Sequence, residues 1–355
     1  MHQQKLRDSG IHPAALDGKR KHEEGGGTGM KQKSVLKQIT KSREFSLVIV
    51  LIVLCVVATI LNPSFISPTN IAQIFRNNAL TMVMSVGMLC VLLTGGIDIS
   101  VASILAFSGM VVGMLLKYKV LENTLLLFVI GSVIGIVCGL LNGLIISKGN
   151  VAPIISTMGF MYIWRGLAYV ISNNQWASGA DVVGYSDFGA DGAVGPYIII
   201  AVVFIAGFII LKWTKVGRKI YAVGSNAEAA RVSGINVDGV LIYTYVIMGF
   251  LSGLCGALSV SIYASAQPNM QYGLEMDIIA SCVIGGVSMS GGRGSVVGTF
   301  LGALILALIT RALPLVGIDA IAQNMVKGIL ILAVVVLNVV TQRMMDRANL
   351  ERREM

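Results

Sequence analysis

A single ionisable residue interrupts a long apolar stretch of the chain. Asp98 is the only charged residue between Arg76 and Lys117, and it follows two glycines in the run Gly95-Gly96-Ile97-Asp98-Ile99-Ser100. Non-helical backbone persists at membrane depth only where protein buries it or water reaches it, and a carboxylate there indicates a functional site. Two roles fit Asp98: it caps or anchors the following helix through backbone N–H groups, or it contacts a polar molecule crossing the membrane.

A similar run occurs later in the chain. After Cys282-Val283-Ile284 the sequence continues as Gly285-Gly286-Val287-Ser288-Met289-Ser290, which parallels the run from Gly95 to Ser100. Transporters often contain internal repeats around a central pathway. The two runs together predict a substrate pathway with six candidate residues: Gly95, Gly96, Asp98, Ser100, Gly285 and Gly286.

The segment 212–238 is a polar, basic loop between two apolar stretches. Asn226 is a suitable N-cap, Glu228 suits a first helical turn, and Gly234 suits a C-terminal stop. This pattern predicts a short amphipathic helix in the cytoplasm, where an external energy source could act on the chain. The alternative is a solvated connector whose basic charge reflects topology alone.

The residue types that would support an enzyme are missing from the apolar part of the sequence. The three histidines (His2, His12 and His22) all precede residue 45, and the five cysteines lie in apolar runs without a CxxC pattern. The phosphate-binding pattern GxxxxGK[ST] does not occur either. We therefore expect no catalytic residue, no metal site, no bound cofactor and no ATP hydrolysis by this chain alone.

The elements that must hold these motifs are membrane helices. Apolar residues make up 55% of the 355 residues and charged residues 13%, against about 25% charged in soluble domains. This excludes a water-soluble enzyme, and the continuous rather than alternating apolar runs exclude a transmembrane β-barrel. We predict an all-α polytopic membrane protein with about ten spans: 45–61, 77–97, 99–116, 123–147, 151–172, 194–211, 239–263, 275–289, 295–311 and 321–341.

The stretch 77–116 could be one tilted helix or a hairpin, and the distribution of basic residues decides between them. A hairpin gives ten spans and cytoplasmic termini, with 21 Lys/Arg in inner segments and two in outer ones. A single helix gives nine spans and a split of 12 against 11. The net charge of +9 thus reflects topology and not nucleic-acid binding. The predicted domains are a disordered basic leader (1–44), a transmembrane domain (45–341) containing the loop 212–238, and a cytoplasmic tail (342–355).

Three segments together resemble one known family. Gly95 to Ser100, the loop from Gly224 to Gly234, and Leu274-Glu275-Met276-Asp277-Ile278-Ile279-Ala280 followed by Gly285-Gly286 are similar to the permease subunits of bacterial ribose, galactose and xylose ABC importers. The resemblance covers roughly residues 45–340. It implies that the run from Gly95 lies near the translocation path. It also implies that the loop docks on an ATP-binding subunit through eight residues: Gly224, Asn226, Glu228, Ala229, Ala230, Arg231, Ser233 and Gly234.

The resemblance further implies the partners and the location of the protein. The partners would be an ATP-binding subunit that holds ATP and Mg²⁺, a periplasmic or lipid-anchored sugar-binding protein, and a second permease copy forming a homodimer in the bacterial cytoplasmic (inner) membrane. Candidate residues for docking the binding protein are Asn173, Asn174, Asp181, Asp187, Glu275 and Asp277. The sequence does not identify the sugar. The alternative function is an ion-gradient-driven secondary carrier, which would favour several buried carboxylates or histidines.

Overall fold

The computed structural model describes residues 43–319, 322–329, 332–333 and 336. The chain divides into two units, 1–46 and 47–355, and of the first only residues 43–46 are described, as the start of a helix. The predicted leader up to residue 42 and the predicted tail 342–355 lie outside the described residues. Of the predicted last span, the described residues 322–329, 332–333 and 336 are helical.

Twelve α-helices with named bounds account for most of the described chain. They are α1 (Arg43–Leu61), α2 (Pro68–Asn77), α3 (Ala79–Leu93), α4 (Val101–Lys117), α5 (Thr124–Ser147), α6 (Pro153–Ser172), α7 (Gly195–Trp213), α8 (Lys215–Ser225), α9 (Ala227–Val232), α10 (Val237–Tyr263), α11 (Leu274–Ile284) and α12 (Val296–Ala312). Short 3₁₀ turns cover Pro63–Ile66, Gly179–Val182, Ser186–Gly189 and Leu313–Val316. Two short strands, β1 (Ala177–Ser178) and β2 (Ser265–Ala266), pair antiparallel with Ala177 opposite Ala266.

The predicted all-α membrane class is confirmed. Five helices (α1, α5, α6, α7 and α10) are long and apolar enough to span a bilayer, and a sixth span results if α2 and α3, bent by 50°, count as one. The helices α4 and α12 are shorter and apolar. Ten spans and cytoplasmic termini stay predictions. One boundary was wrong: the helix inside the predicted span 275–289 ends at Ile284, because a glycine turn follows it.

The stretch 77–116 contains two helices and not one continuous helix, and the hairpin of two spans stays a prediction. The helix α3 ends at Leu93 and α4 begins at Val101, so residues 94–100 form a non-helical break around Asp98. Both helices pack against α10, which is therefore the central element of the bundle. Most of α10 is buried, including Tyr245 and Met248 at 0% exposure.

Glycines fix the closest helix contact in the bundle, between α5 and α10. Gly131, Gly135 and Gly139 recur every four residues on α5, so they share one helix face, and they meet Gly249 and Gly253 of α10. A Cβ atom on Gly135 would collide with the carbonyl oxygen of Gly249, and one on Gly253 with that of Gly131. Helices in lipid associate by such close backbone approach. Gly298 and Gly302 of α12 similarly pack on α11, at Gly285 and Ser281.

The loops gather in two groups at opposite ends of α10, which at 27 residues is about 40 Å long. Near its first residues, Lys148 Nζ lies 3.1 Å from Asp238 Oδ2. Near its last residues, the β1–β2 pair joins the loop after α6 to the loop after α10. At that same end, Arg165 Nη1 donates to the carbonyl oxygens of Pro268 and Met270 at 3.0 and 2.9 Å.

We predict that Gly253→Ala destabilises the bundle by about 1–3 kcal/mol, the cost of overpacking a close contact, because its methyl group would meet the backbone of Gly131. The measurement is the temperature at which half of the detergent-purified protein loses its monodisperse size-exclusion peak. Gly166→Ala on α6 is the control, since no atom lies within 4 Å of a Cβ there and alanine favours helix. Equal midpoints for the two variants would contradict this account of the helix contact.

Candidate functional site

The glycine run after α3 forms a helix-ending turn. Gly95 has φ +79°, a left-handed conformation that glycine adopts without a side-chain penalty. The N–H of Gly95 donates to Leu92 O at 2.9 Å and the N–H of Gly96 donates to Val91 O at 3.1 Å. This is the pattern of a Schellman motif, which satisfies carbonyl groups that the end of a helix leaves without partners.

The second glycine run forms the same turn at the end of α11. Gly286 has φ +85°, its N–H donates to Val283 O at 2.9 Å, and the N–H of Val287 donates to Cys282 O at 3.0 Å. The backbone thus matches Gly286, and not Gly285, to Gly95. In this register Met289 occupies the position of Asp98, so only the first turn carries a carboxylate.

Asp98 is fully buried, at 0% exposure, and is bonded to the protein itself. Its Oδ1 accepts from the N–H of Ser100 at 2.9 Å and from the Ser100 hydroxyl at 2.6 Å. From α5, Asn142 Nδ2 donates to Ser100 Oγ at 2.8 Å and approaches Asp98 Oδ2 at 3.5 Å. The carboxylate therefore ties Ser100, the residue before α4, to the rest of the break and to α5.

Sequence reasoning missed Asn142, whose only signal was a polar amide in the apolar run 123–147. Its Oδ1 is buried and has no hydrogen-bond partner among the described residues. Two further hydroxyls surround the break, since Tyr245 Oη lies 3.4 Å and Thr157 Oγ1 3.5 Å from the carbonyl oxygen of Ile97. A Cβ on Gly96 would lie 2.6 Å from Tyr245 Oη, which accounts for the second glycine of the run.

The predicted amphipathic helix is α9, and the residues assigned to its ends behave as expected. Asn226 Oδ1 accepts from the N–H of Ala229 at 2.9 Å, and Gly234 follows the helix with φ +80°. A second helix, α8, precedes it and was not predicted. Its N-cap is Thr214, whose hydroxyl accepts from the N–H of Gly217 at 3.2 Å.

The eight residues assigned to this loop do not share one surface. Ala230 is buried, and Gly224 faces inward, where a Cβ would collide with Leu93 O. The remaining six are exposed: Asn226, Glu228, Ala229, Arg231, Ser233 and Gly234. Sequence reasoning also missed Val232, which is 89% exposed at the end of α9. Its signal was a β-branched apolar residue between the polar Arg231 and Ser233.

The candidate docking residues at the other end of the bundle differ in accessibility. Asn173 and Asn174 adopt left-handed conformations after α6, and Asp181 Oδ2 accepts from the N–H of Ser178 at 3.1 Å. Glu275 is only 8% exposed, and Asp277 Oδ2 lies 3.0 Å from Lys327 Nζ. Asp187 lies in the turn Ser186–Gly189. Glu275 and Asp277 both lie in the first turn of α11, and the partner of Asp277 lies in the helical residues 322–329.

The sequence is similar to those of known transport permeases. Residues 70–335 match the family described as "Branched-chain amino acid transport system / permease component". The chain is 40% identical over 292 residues to the ribose import permease protein RbsC of Bacillus subtilis (strain 168), covering 81% of this chain and 90% of that one. It is 37% identical over 299 residues to RbsC of Escherichia coli (strain K12), covering 82% and 92%.

A third relative carries a different sugar in its name. The galactose/methyl galactoside import permease protein MglC of Escherichia coli (strain K12) is 33% identical over 321 residues, covering 84% of this chain and 95% of that one. No solved structure matches the chain. With the family match over three-quarters of its length, this chain belongs to that family of permease components and is a multi-pass membrane protein.

Proposed function

We propose that this chain is the membrane subunit of a monosaccharide ABC importer in the bacterial cytoplasmic membrane, where it forms the translocation pathway. The observation that supports this most is the match to ribose and galactose permeases over more than four-fifths of the chain. The family description names branched-chain amino acids, but the relatives that align over most of their length are sugar permeases. ATP and Mg²⁺ would bind to a separate subunit, and a sugar-binding protein would deliver the sugar, of ribose, galactose or xylose type.

The contacts between loops support the ten-span topology, because they join loops that this topology assigns to the same side of the membrane. Lys148 and Asp238, which form an ion pair, both lie in segments that the ten-span topology assigns to the cytoplasm. Lys117 Nζ donates to Trp176 O at 2.8 Å, and both of these residues lie in segments assigned to the outside. The loop 212–238 would then face the cytoplasm, where an ATP-binding subunit can reach it.

The helix α9 offers the surface for that subunit. Val232 is 89% exposed, and its apolar neighbours Ala227 and Ala229 on the same helix are exposed as well, next to Glu228 and Arg231. An exposed apolar patch with a charged rim is typical of protein interfaces. The charges themselves bind each other weakly, since Arg231 lies 3.6 Å from Glu228 and 3.7 Å from Asp238 and exposed ion pairs contribute little. We therefore assign most of the docking energy to Val232 and its apolar neighbours.

The hydrogen bonds around Asp98 would hold the non-helical backbone beside the pathway in one conformation. The Asp98 carboxylate bonds to Ser100, and Ser100 bonds to Asn142 of α5, so the break is connected to α5. Of the two roles that the sequence left open, we propose the anchor. The sugar would then pass beside the glycine turns at Gly95 and Gly286 rather than bind Asp98 directly, and a second permease copy would complete the pathway as a homodimer.

The rival function is an ion-gradient-driven carrier, and coupling to protons would favour several buried carboxylates or histidines. Within the described residues two carboxylate side chains are buried, Asp98 and Glu275. They lie toward opposite ends of the bundle, since Asp98 precedes α4 near the loop of α8 and Glu275 begins α11 at the end that carries β1 and β2. Such a separation does not favour a proton relay.

We predict that sugar uptake into proteoliposomes requires the ATP-binding subunit, the sugar-binding protein and ATP, because this chain carries no nucleotide-binding motif. Uptake should persist when ionophores collapse the proton and sodium gradients. The measurement is accumulation of radiolabelled ribose and galactose with each component omitted in turn. Uptake by the purified chain alone, driven by an imposed proton gradient, would contradict the importer.

We predict that Val232→Asp weakens binding of the ATP-binding subunit by about tenfold or more, since it places a charge where an apolar side chain would be buried. Binding is measured as the dissociation constant in detergent, and loss of sugar-stimulated ATP hydrolysis should accompany it. Val183→Asp is the matched control, a valine that is 76% exposed in the loop after α6. If both variants bind the subunit equally well, α9 is not the docking surface.

We predict that Asp98→Asn retains more transport and more thermal stability than Asp98→Leu. Asparagine keeps an oxygen that accepts from Ser100, whereas leucine leaves the buried N–H of Ser100 without a partner, a loss of about 1–3 kcal/mol. Thermal midpoint and sugar uptake are measured on the same preparations. Equal values for the parent and both variants would exclude the anchor as well as direct contact with the sugar.

A further inference from the structure

Three segments that are distant in the sequence meet where the loop of α8 reaches the bundle. They are Leu93–Gly95 at the end of α3, Tyr221–Ser225 at the end of α8, and Gly291–Gly294 in the turn that follows α11; we call them the glycine junction. The N–H of Gly292 donates to Leu93 O at 2.9 Å. The hydroxyl of Tyr221 donates to Gly294 O at 2.8 Å.

Glycines let these three backbones touch directly. A Cβ on Gly224 would collide with Leu93 O and lie 2.7 Å from the nitrogen of Gly292. Gly291, at φ +86°, would place a Cβ 2.8 Å from Gly224 O and 3.0 Å from the nitrogen of Gly95. No side chain therefore separates α8 from the end of α3 or from the turn after α11.

Such a contact has little freedom to absorb a displacement. Where side chains separate two elements, changes of rotamer can take up small shifts, but closely packed backbones must move together or lose their hydrogen bonds. Only Asn226 separates α8 from α9. A displacement of α9 would therefore reach Leu93 and Gly292 through a short, hydrogen-bonded route.

We infer that the glycine junction connects α9 mechanically to the glycine turn at Gly95 and to the loop Gly291–Gly294 after the turn at Gly286, and that Tyr221 and Gly224 are positioning residues that keep this connection stiff. The inference rests on the proposed function, in which an ATP-binding subunit moves α9. It assigns an inward role to Gly224, separate from the exposed docking surface at Val232. It also gives Tyr221 a task in energy coupling that no feature of its sequence context indicated.

The first experiment removes one hydroxyl. In the complete complex in proteoliposomes, Tyr221→Phe should lower the number of sugars taken up per ATP hydrolysed by about threefold or more, the effect of losing one hydrogen bond of ordinary strength. The dissociation constant of the ATP-binding subunit should stay at the parent value. Tyr243→Phe is the matched control, because its hydroxyl also donates to a backbone carbonyl of α8, Val216 O at 3.3 Å, but at the opposite end of that helix.

The second experiment forces the backbones apart. Gly224→Ala must separate α8 from Leu93, so it should lower the same uptake-to-hydrolysis ratio further than Tyr221→Phe does. Gly159→Ala is its control, since a Cβ at that position meets no atom within 4 Å. If Gly224→Ala does not yield a folded complex, Tyr221→Phe alone decides.

The outcomes separate this inference from the proposed function. If the parent complex shows no ATP-dependent uptake, the proposed function fails. If the parent takes up sugar and Tyr221→Phe keeps the parent ratio, or loses binding of the ATP-binding subunit in step with uptake, the junction does not transmit. A reduced ratio with parent-like binding for Tyr221→Phe, and parent values for Tyr243→Phe, supports the inference.

Discussion

The structure depends on one constraint: every backbone N–H and C=O group away from water needs a hydrogen-bond partner within the protein. A helix that ends inside the bundle leaves carbonyl and N–H groups without partners, and lipid offers none. The chain meets this requirement at both breaks with a glycine in the left-handed region, at Gly95 and at Gly286. At the first break it adds Asp98, whose carboxylate accepts two further hydrogen bonds from Ser100. Non-helical backbone can exist at these breaks because its polar groups find partners within the protein.

Close approach of small residues is the second condition, and it explains why the polar groups can reach one another. Asn142 lies one turn beyond Gly139, on the helix that packs against α10 through glycines. That packing brings the amide of Asn142 to 2.8 Å from Ser100 Oγ. A bulkier contact between α5 and α10 would shift α5 outward and leave Asp98 with only its neighbour in sequence. Packing through glycines and the polar network therefore depend on each other.

Helix caps, stops and breaks, which depend on neighbouring residues, could be predicted from the sequence. Contacts between distant segments could not. The cap at Asn226, the stop at Gly234 and the break near Asp98 were predictable, since each is set within a few residues. The helix α8 was missed because a cap and a stop were assigned only at Asn226 and Gly234, whereas its own N-cap is Thr214. The partner of Ser100, the inward direction of Gly224 and the burial of Glu275 arise from contacts between segments far apart in the chain. A single sequence contains no signal for them beyond residue type.

The distribution of polar contacts along the bundle fits the proposed function, in which a separate ATP-binding subunit drives the conformational change. At the end with β1 and β2, arginines fix loops to backbone carbonyls: Arg76 donates to Gly189 O at 2.8 Å and to Ile262 O at 2.9 Å. At the other end Lys148 pairs with Asp238, but backbone also meets backbone directly at Leu93, Gly224 and Gly292, and α9 exposes Val232. Among the described residues the two ends thus differ in one respect: only at the end with α8 is a helix break packed against another helix through main chain alone. In the function that we propose, force applied at Val232 would reach the break beside Asp98 through the contact of Gly224 with Leu93.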